Sequence, residues 1–415
     1  MQDDLINETS SRYRGWRVVA ASAAALAFGP STIAVLSLGL FMRSFEQEFG
    51  WSRTQVAIAT TIVSYMIVLV SPLQGWLIDR YGSRRVILCS IPAFGTGICA
   101  LALLPPVLWM YYAAWVILPI LGVGVFPLSY LKVVGSWFTR RLGFALGVAN
   151  SGVAIGSMLI PLLVGYLIAQ HGWRYAWLGL GAIVLLFTLP LALGFIHEAA
   201  EGRVGNPAAH SRSGPGVAFA DAVRTRTFSL LILSFLLMGT TTTAFVVHQV
   251  PLLLDRGVTP ATASLVQVVF GAFGLLGRLL TGWLLDRVRA SRVMITFLLG
   301  GALACALYAM GVSGELAFVC AALFGLLFGA EFDVLAYLVK RRFGTLAFGR
   351  IYGLVFSVFQ FGAGLGALLL PLSRDQTGSY AIGMMTFTVV LVLASLAFAA
   401  IADSPPRSRI ADEPH

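Results

Sequence analysis

Charged residues are scarce in this chain. They make up only 11% of its 415 residues, whereas 58% of the residues are hydrophobic. Soluble domains contain about 25% charged and about 45–50% apolar residues. The composition therefore excludes an ordinary soluble domain and indicates a membrane protein.

Cysteine and catalytic motifs are scarce too. The four cysteines, Cys89, Cys99, Cys305 and Cys320, lie inside apolar runs at spacings that fit no metal site. We interpret them as buried reduced thiols. The chain also lacks a nucleophile elbow, an HExxH sequence, a P-loop and two histidines at ligand spacing. We therefore predict neither an enzyme nor a bound metal or cofactor.

Long apolar runs, by contrast, fill the chain. Each is close to or longer than the ~20 residues that a helix needs to cross the hydrocarbon core. The predicted spans are 16–41, 55–77, 86–104, 108–134, 142–169, 174–196, 227–254, 261–284, 291–311, 316–338, 349–372 and 380–401. The apolar–polar alternation of an outer-membrane barrel does not occur in this sequence. An all-α membrane protein with twelve transmembrane helices is predicted, and its polar, acidic start predicts no cleaved signal peptide.

The net charge of +10 is explained by topology rather than by binding of nucleic acid. With the N-terminus inside, 22 of the 28 basic residues fall on the inner side, five fall outside, and Arg278 lies within a span. Basic loops stay in the cytoplasm. We predict a multi-pass protein of the inner (cytoplasmic) membrane with both termini cytoplasmic.

A charged sequence occurs twice. GWLIDRYGSRR (Gly75–Arg85) and GWLLDRVRASR (Gly282–Arg292) stand 207 residues apart, each between the second and third spans of a half. Equal placement predicts two parallel six-helix repeats. The Gly-, Pro-, Ser- and Ala-rich segment between them predicts a flexible tether. The expected divisions are a tail (1–15), a six-helix bundle (16–196), a linker (197–226), a second bundle (227–401) and a tail (402–415).

This six-plus-six plan with a G-x-x-x-D-R-x-G turn resembles the major facilitator superfamily. The resemblance implies a central cavity, alternating access, and a turn that holds the two halves together on the cytoplasmic side. The chain departs from the family at Ser83, where a basic residue is usual, and at Arg289, which replaces the second glycine. The residues expected to form this conformational latch are Gly75, Asp79, Arg80, Gly82, Arg84, Arg85, Gly282, Asp286 and Arg287. For Arg84 and Arg85, a purely topological role is an equal alternative.

Ionisable residues within spans usually mark a transport pathway. Arg278 lies eight residues before Asp286, about 12 Å along the eighth span, and Glu331 reaches about the same depth on the tenth. We expect Arg278 to bind a substrate carboxylate and Glu331 or Asp333 to take up a coupling proton. The alternative is a static ion pair that braces helices.

Weaker candidates are polar residues elsewhere in the spans. Tyr65, Asn150, Gln360 and His248 are predicted to contact substrate, although each could equally form an interhelical hydrogen bond, as could Gln267. Lys132 lies near a span end, where we expect its ammonium group to reach the headgroups.

Four further sequences are similar to bacterial monocarboxylate transporters and oxalate/formate antiporters: GWRVVAASAAALAFG, EFGWSRTQVA, SWFTRRLGFALGVANSGVAIGS and HGWRYAW. The resemblance implies that an eighth-span arginine, Arg278 here, binds the substrate carboxylate. The oxalate exchangers also use an eleventh-span lysine, where this chain offers Phe359 and Gln360. We therefore expect a secondary active, proton-coupled symporter of a small organic monoanion, monomeric in the lipid bilayer. The alternative is proton-driven efflux of drugs or cations with Glu331 and Asp333.

Overall fold

The fold is described by a computed structural model that covers residues 8, 10, 13–30, 32–33, 38–199 and 216–402. Most residues of the two predicted tails and the middle of the predicted linker, 200–215, therefore lie outside the described residues. The helices are α1 (Arg14–Ala27), α2 (Leu38–Phe49), α3 (Arg53–Tyr81), α4 (Ser83–Ala100), α5 (Leu108–Leu121), α6 (Pro127–Trp137), α7 (Leu142–His171), α8 (Trp173–Ile183), α9 (Leu189–Phe195), α10 (Phe219–Ala222), α11 (Arg226–Asp255), α12 (Pro260–Leu285), α13 (Ala290–Ala309), α14 (Glu315–Phe343), α15 (Phe348–Thr377) and α16 (Ala381–Ala402).

Ten helical stretches of the described chain are long and apolar enough to cross a membrane. They correspond to ten of the twelve predicted spans. A π-helical segment joins α8 to α9, so the sixth span runs unbroken from Trp173 to Phe195. The prediction of an all-α, multi-pass membrane protein is confirmed.

The predicted span 108–134 is not one continuous α-helix. It is divided into α5 and α6 by a 3-10 turn, Val123–Val125. Pro127 has no backbone N–H and restricts Phe126 to extended backbone, so a helix cannot run through this point. The Gln74 side chain donates hydrogen bonds to Phe126 O (3.2 Å) and Ser129 Oγ (2.9 Å). The Gln74 side chain thus supplies hydrogen bonds to buried polar groups on either side of the break between α5 and α6.

The predicted span 16–41 differs from expectation in the same way. Helix α1 ends at Ala27, and α2 begins at Leu38. A Cβ atom built on Gly29 would lie 3.5 Å from Val125 O, and one built on Gly122 would lie 3.2 Å from Pro30 Cγ. The chain just beyond α1 therefore packs against the turn between α5 and α6.

The chain divides into two compact units, Met1–Arg212 and Ser213–His415, and the boundary falls inside the predicted linker. Glycines let helices approach closely in both units. In the first unit, Gly152 and Gly156 of α7 face the backbone of α1 at Ala23 and Ala27. In the second unit, Gly362 and Gly366 of α15 face the backbone of α11.

The N-terminal end of α8 is tied to the C-terminal end of α2. One oxygen of the Glu48 carboxylate accepts a hydrogen bond from Trp173 Nε1 (2.5 Å), and the other accepts one from Arg174 (2.6 Å). The guanidinium group of Arg174 also lies over the Trp173 ring, 4.2 Å from its centre. These contacts hold the end of α2 against the start of α8.

The ends of the linker bind to equivalent places in the two units. His197 O accepts a hydrogen bond from Trp137 Nε1 (2.7 Å), and Ala199 N donates to Ser136 Oγ (3.0 Å). In the second unit, Val217 N donates to Phe343 O (2.9 Å). Phe343 stands 207 residues after Ser136, the offset that also separates the two charged sequences.

The segment that precedes α1 binds to the same loop as the start of the linker. Tyr13 donates its hydroxyl hydrogen to Trp137 O (2.5 Å). The Glu8 carboxylate accepts hydrogen bonds from the backbone N–H groups of Thr139, Arg140 and Arg141, each at 2.8 Å. These groups precede α7, so a negative charge stabilises the start of that helix.

Candidate functional site

The candidate substrate site lies where α12 crosses α14. Glycines bring the two backbones into contact at this crossing. A Cβ atom on Gly329 would lie 2.8 Å from Arg278 N, and one on Gly277 would lie 2.8 Å from Leu326 O. Gly329 is two residues before Glu331, so the crossing brings Arg278 to the level of the acidic residues on α14.

Five polar side chains from four helices converge there. Arg278 is only 8% exposed, and Glu331 and Asp333 are fully buried. Arg278 and Thr242, on α11, both interact with the Glu331 carboxyl group. Tyr352, on α15, interacts with Asp333 and Arg278. The structure therefore brings together the three ionisable residues that the sequence singled out.

The two acidic residues differ in their partners. Among the described residues, neither carboxyl oxygen of Glu331 has a hydrogen-bond partner, because the nearby Thr242 hydroxyl donates to Met238 O (2.7 Å). For Asp333 this holds for one oxygen only, and its side chain has a further contact. A buried charge without hydrogen bonds is strongly disfavoured, and Glu331 has fewer such partners than Asp333.

Arg278 makes no ion pair within 4.0 Å with a carboxylate of the described residues. A guanidinium group that braced two helices would be expected to make such a pair with good geometry. Its donors are thus available to a carboxylate that arrives from outside the protein.

The candidate latch of the first copy is held within its own unit. The Lys132 ammonium group lies 2.7 Å from Asp79 Oδ1 and donates a second hydrogen bond to Ile78 O (3.1 Å). The predicted position of this ammonium group near the headgroups stays a prediction. Lys132 Nζ is held at the end of α3 because the Asp79 carboxylate, with a side chain only 3% exposed, lies beside it.

The turn itself is fixed by the end of the sixth span. Gly82 has a φ of 84°, a conformation that favours glycine. Ser83 N donates to Glu198 Oε1 (2.7 Å), and Arg84 donates to Leu193 O (3.2 Å). Sequence reasoning missed Glu198, whose only signal was an acidic residue just after a span.

The second copy of the latch sequence is built differently. Asp286 is the C-cap of α12, and the guanidinium group of Arg287 lies 4.0 Å from the centre of the Trp283 ring. Arg289, which replaces the second glycine, precedes α13 with an ordinary negative φ of −59°. The left-handed turn at Gly82 therefore has no counterpart there.

The weaker candidates do not all reach this site. His248 contacts Ala367 O (3.3 Å) six residues beyond Thr242 on α11, and Gln360 lies eight residues beyond Tyr352 on α15. These separations are about 9 Å and about 12 Å along the helices. In the first unit, Tyr65 is 59% exposed and Asn150 is buried. Gln267 has a buried oxygen without a hydrogen bond.

The family profile described as Major Facilitator Superfamily matches residues 19–367 and 230–414 of the chain. Monocarboxylate transporter 11 of Mus musculus is 26% identical over 412 residues, 94% of this chain and 89% of the relative. The human protein of that name is 28% identical over 391 residues, 88% of this chain and 79% of the relative. The multidrug resistance protein B homolog of Mycobacterium tuberculosis is 32% identical, but over only 36% of this chain and 29% of the relative.

Solved structures share the fold at low sequence identity. The E. coli fucose:proton symporter has a TM-score of 0.71 at 13% identity, covering 94% of this chain and 98% of that structure. A human organic anion transporter has a TM-score of 0.69 at 15% identity, covering 92% and 99%. At such identities the likeness describes the architecture alone.

Proposed function

Because the chain belongs to the Major Facilitator Superfamily and is a membrane transporter rather than an enzyme, we propose that it carries a small organic monocarboxylate together with a proton. The observation that carries the proposal is the buried Arg278, which has no ion pair among the described residues. A planar guanidinium group in a buried site binds a carboxylate through two parallel hydrogen bonds. The monocarboxylate transporters among its relatives support this substrate class.

Glu331 is the proton carrier in this proposal. Asp333 helps to position Tyr352, which lies near Arg278. A protonated Glu331 leaves the charge of Arg278 for the substrate carboxylate. When Glu331 loses its proton, its negative charge competes with the substrate for Arg278. Substrate and proton therefore favour one another's binding, which is the linkage that symport requires.

A monoanion fits this site better than a dicarboxylate. Lys132, the other basic residue placed near the membrane interior, is bound to Asp79. Phe359 is buried against Phe235 and Phe332, so it adds an apolar wall where the oxalate exchangers use a lysine. One cation is thus available for one carboxylate.

The transport cycle follows the same proposal. Substrate and proton move by alternating access between the two six-helix units, with the charged turns as the cytoplasmic latch. The excess of arginines and lysines in alternate loops supports cytoplasmic termini and an inner-membrane location. No contact between protomers is needed for this cycle, so a monomer suffices.

A second candidate is efflux of a cation or drug. It is favoured by the 158-residue similarity to the multidrug resistance homolog and by two buried acidic residues on α14. In that function Glu331 would exchange a proton for a cationic substrate, and Arg278 would be dispensable for binding.

Uptake by proteoliposomes distinguishes the two functions. A labelled panel of monocarboxylates is presented with and without an inward proton gradient to the native protein, to Arg278→Ala and to Glu331→Gln. We expect gradient-stimulated uptake by the native protein and none by Arg278→Ala. We expect Glu331→Gln to exchange substrate at equal pH but to ignore the gradient.

Arg374→Gln provides the matched control, because this arginine forms an exposed ion pair with Asp255 at a helix end. It should transport like the native protein. Uptake that is indifferent to Arg278, or that is found only for cations, would overturn the monocarboxylate proposal.

A further inference from the structure

The two copies of the charged sequence share a pair of stacked side chains. Arg80 lies over the Trp76 ring with 5.5 Å between the guanidinium carbon and the ring centre, and Arg287 lies over the Trp283 ring at 4.0 Å. Each arginine follows its tryptophan by four residues. Arg80 lies in the last turn of α3, whereas Arg287 lies just beyond α12 and also donates a hydrogen bond to Trp283 O (3.3 Å).

Both tryptophans are partly exposed. Trp76 is 37% exposed and Trp283 is 45% exposed, although tryptophan is a large apolar residue. Exposed tryptophans at span ends belong to the interfacial belt of membrane proteins, at the level of the lipid headgroups. Stacking holds each arginine in that layer.

The charge of these arginines is not neutralised by the protein. The Asp79 carboxylate, next to Arg80 in sequence, binds Lys132 instead. In the part of the chain that the structure describes, neither Arg80 nor Arg287 forms an ion pair. Further arginines follow in each turn: Arg84 and Arg85 in the first, Arg289 and Arg292 in the second.

A third arginine that lies over a tryptophan ring, Arg174, does have a carboxylate partner. Arg174 lies 4.2 Å from the centre of the Trp173 ring, but its guanidinium group also binds Glu48 at 2.6 Å. This pair lies at the start of α8, and the Glu48 carboxylate neutralises its arginine. In the charged turns, Arg80 and Arg287 also lie over tryptophan rings, but neither arginine has an ion pair among the described residues.

We propose that Trp76–Arg80 and Trp283–Arg287 are two equivalent binding sites for the phosphate group of an anionic phospholipid. The guanidinium fork matches the phosphate oxygens, and the exposed indole packs on the glycerol region of the same lipid. Three arginines in each turn provide the charge complementarity, and the exposed position selects a bilayer lipid over a free ion. The inference does not depend on which substrate is carried.

Lipid binding to the detergent-solubilised full chain tests the proposal by native mass spectrometry. Phosphatidylglycerol and phosphatidylcholine with the same acyl chains are titrated separately onto the native protein. We expect two phosphatidylglycerol molecules to be retained in preference to phosphatidylcholine. Arg80→Gln or Arg287→Gln should weaken one site about fivefold, since a basic residue near the headgroups contributes about that factor, and the double variant should lose the preference.

Arg174→Gln is the matched control, because its charge is already bound to Glu48. It should retain both lipid molecules. Trp76→Phe with Trp283→Phe keeps a ring beneath each arginine and should retain most of the preference, which separates the site from a general loss of folding.

Three results would overturn the inference. Equal retention of phosphatidylcholine would remove the requirement for an anionic headgroup. An unchanged lipid preference in the Arg80→Gln, Arg287→Gln double variant would place the sites elsewhere. Displacement of phosphatidylglycerol by millimolar inorganic phosphate would show that the turns bind the free ion.

Discussion

The two compact units differ in how the polar groups discussed above are paired. In the first unit, the helix break before Pro127 is satisfied by Gln74, and Lys132 is bound to Asp79. In the second unit the helices are continuous, yet Glu331 has no hydrogen bond and Arg278 no ion pair among the described residues. The charged sequence thus recurs in both units, while the turn that it forms and the pairing of buried charges differ between them. Polar groups that are satisfied hold a structure, and polar groups left unsatisfied are available to a ligand.

The largest effect should follow from separating α12 and α14 in the second unit. In Gly329→Ala, the new methyl group would lie 2.8 Å from Arg278 N and closer still to Gly274 O. The helices must move apart, which displaces Arg278 from Glu331 and costs about 1–3 kcal/mol in stability. We expect uptake to fall more than tenfold, measured in proteoliposomes at equal protein density.

Gly271→Ala is its control on the same helix as Arg278. A Cβ atom there meets nothing within 4 Å, and alanine favours a helix over glycine by about 1 kcal/mol. Uptake should be unchanged. If both alanine variants transport normally, the close crossing does not position Arg278.

A smaller effect is expected from the helix break of the first unit. Gln74→Leu removes the donor to the buried Ser129 hydroxyl and one of the two donors to Phe126 O, which still accepts from Ser129 N, at a cost of about 1–3 kcal/mol. We expect a lower thermal unfolding midpoint in detergent with an unchanged KM for substrate. Ser64→Ala, on the same helix, removes an exposed hydroxyl that bonds only to Thr60 O, and its midpoint should stay the same. A changed KM in Gln74→Leu would mean that this break belongs to the binding site.

The smallest effect is expected from the contact of Glu48, at the end of α2, with Trp173 and Arg174, at the start of α8. The hydrogen bond from Trp173, assisted by Arg174, holds the pKa of Glu48 below its ordinary value, against the opposing effect of burial. A lowered pKa in the folded state adds stability that is present above the unfolded pKa and is lost as the pH falls through the folded pKa. The native protein should therefore melt above Glu48→Gln at pH 7, with the difference disappearing in acid.

This difference should be small, equivalent to about 0.2–1 kcal/mol, because the Glu48 side chain is 40% exposed. Trp173→Phe keeps an aromatic ring and removes the largest cause of the lowered pKa of Glu48, so its stability should depend less on pH than that of the native protein. Equal pH dependence of Trp173→Phe and the native protein would remove the role given to Trp173.

The length of the apolar runs predicts most of the fold, because a membrane helix needs little beyond ~20 apolar residues. The helix breaks could not be predicted this way. The residues GVGVFP at 122–127 are apolar throughout, so hydropathy passes over them. The glycines and the proline were the available signal, and they act through backbone geometry rather than through polarity.

The sequence could predict how deep Arg278 and Glu331 lie in their helices, but it could not predict which side chains of other helices lie beside them. The rise of 1.5 Å per residue places Arg278 and Glu331 at one level once their helix ends are known. Thr242 and Tyr352 join them only because α11 and α15 pack beside that crossing. Such neighbours depend on which helix faces meet, and a sequence without its partners does not specify that.

The docked linker ends carry a consequence for how the chain arose. The segment before α1 and the segment before α11 bind to corresponding loops of the two units. Tyr13 donates to Trp137 O, and Val217 N donates to Phe343 O, 206 residues further along the chain. A repeating unit that began ahead of its first helix accounts for both contacts. Each half of the chain then carries its own entry segment, bound to its own loop.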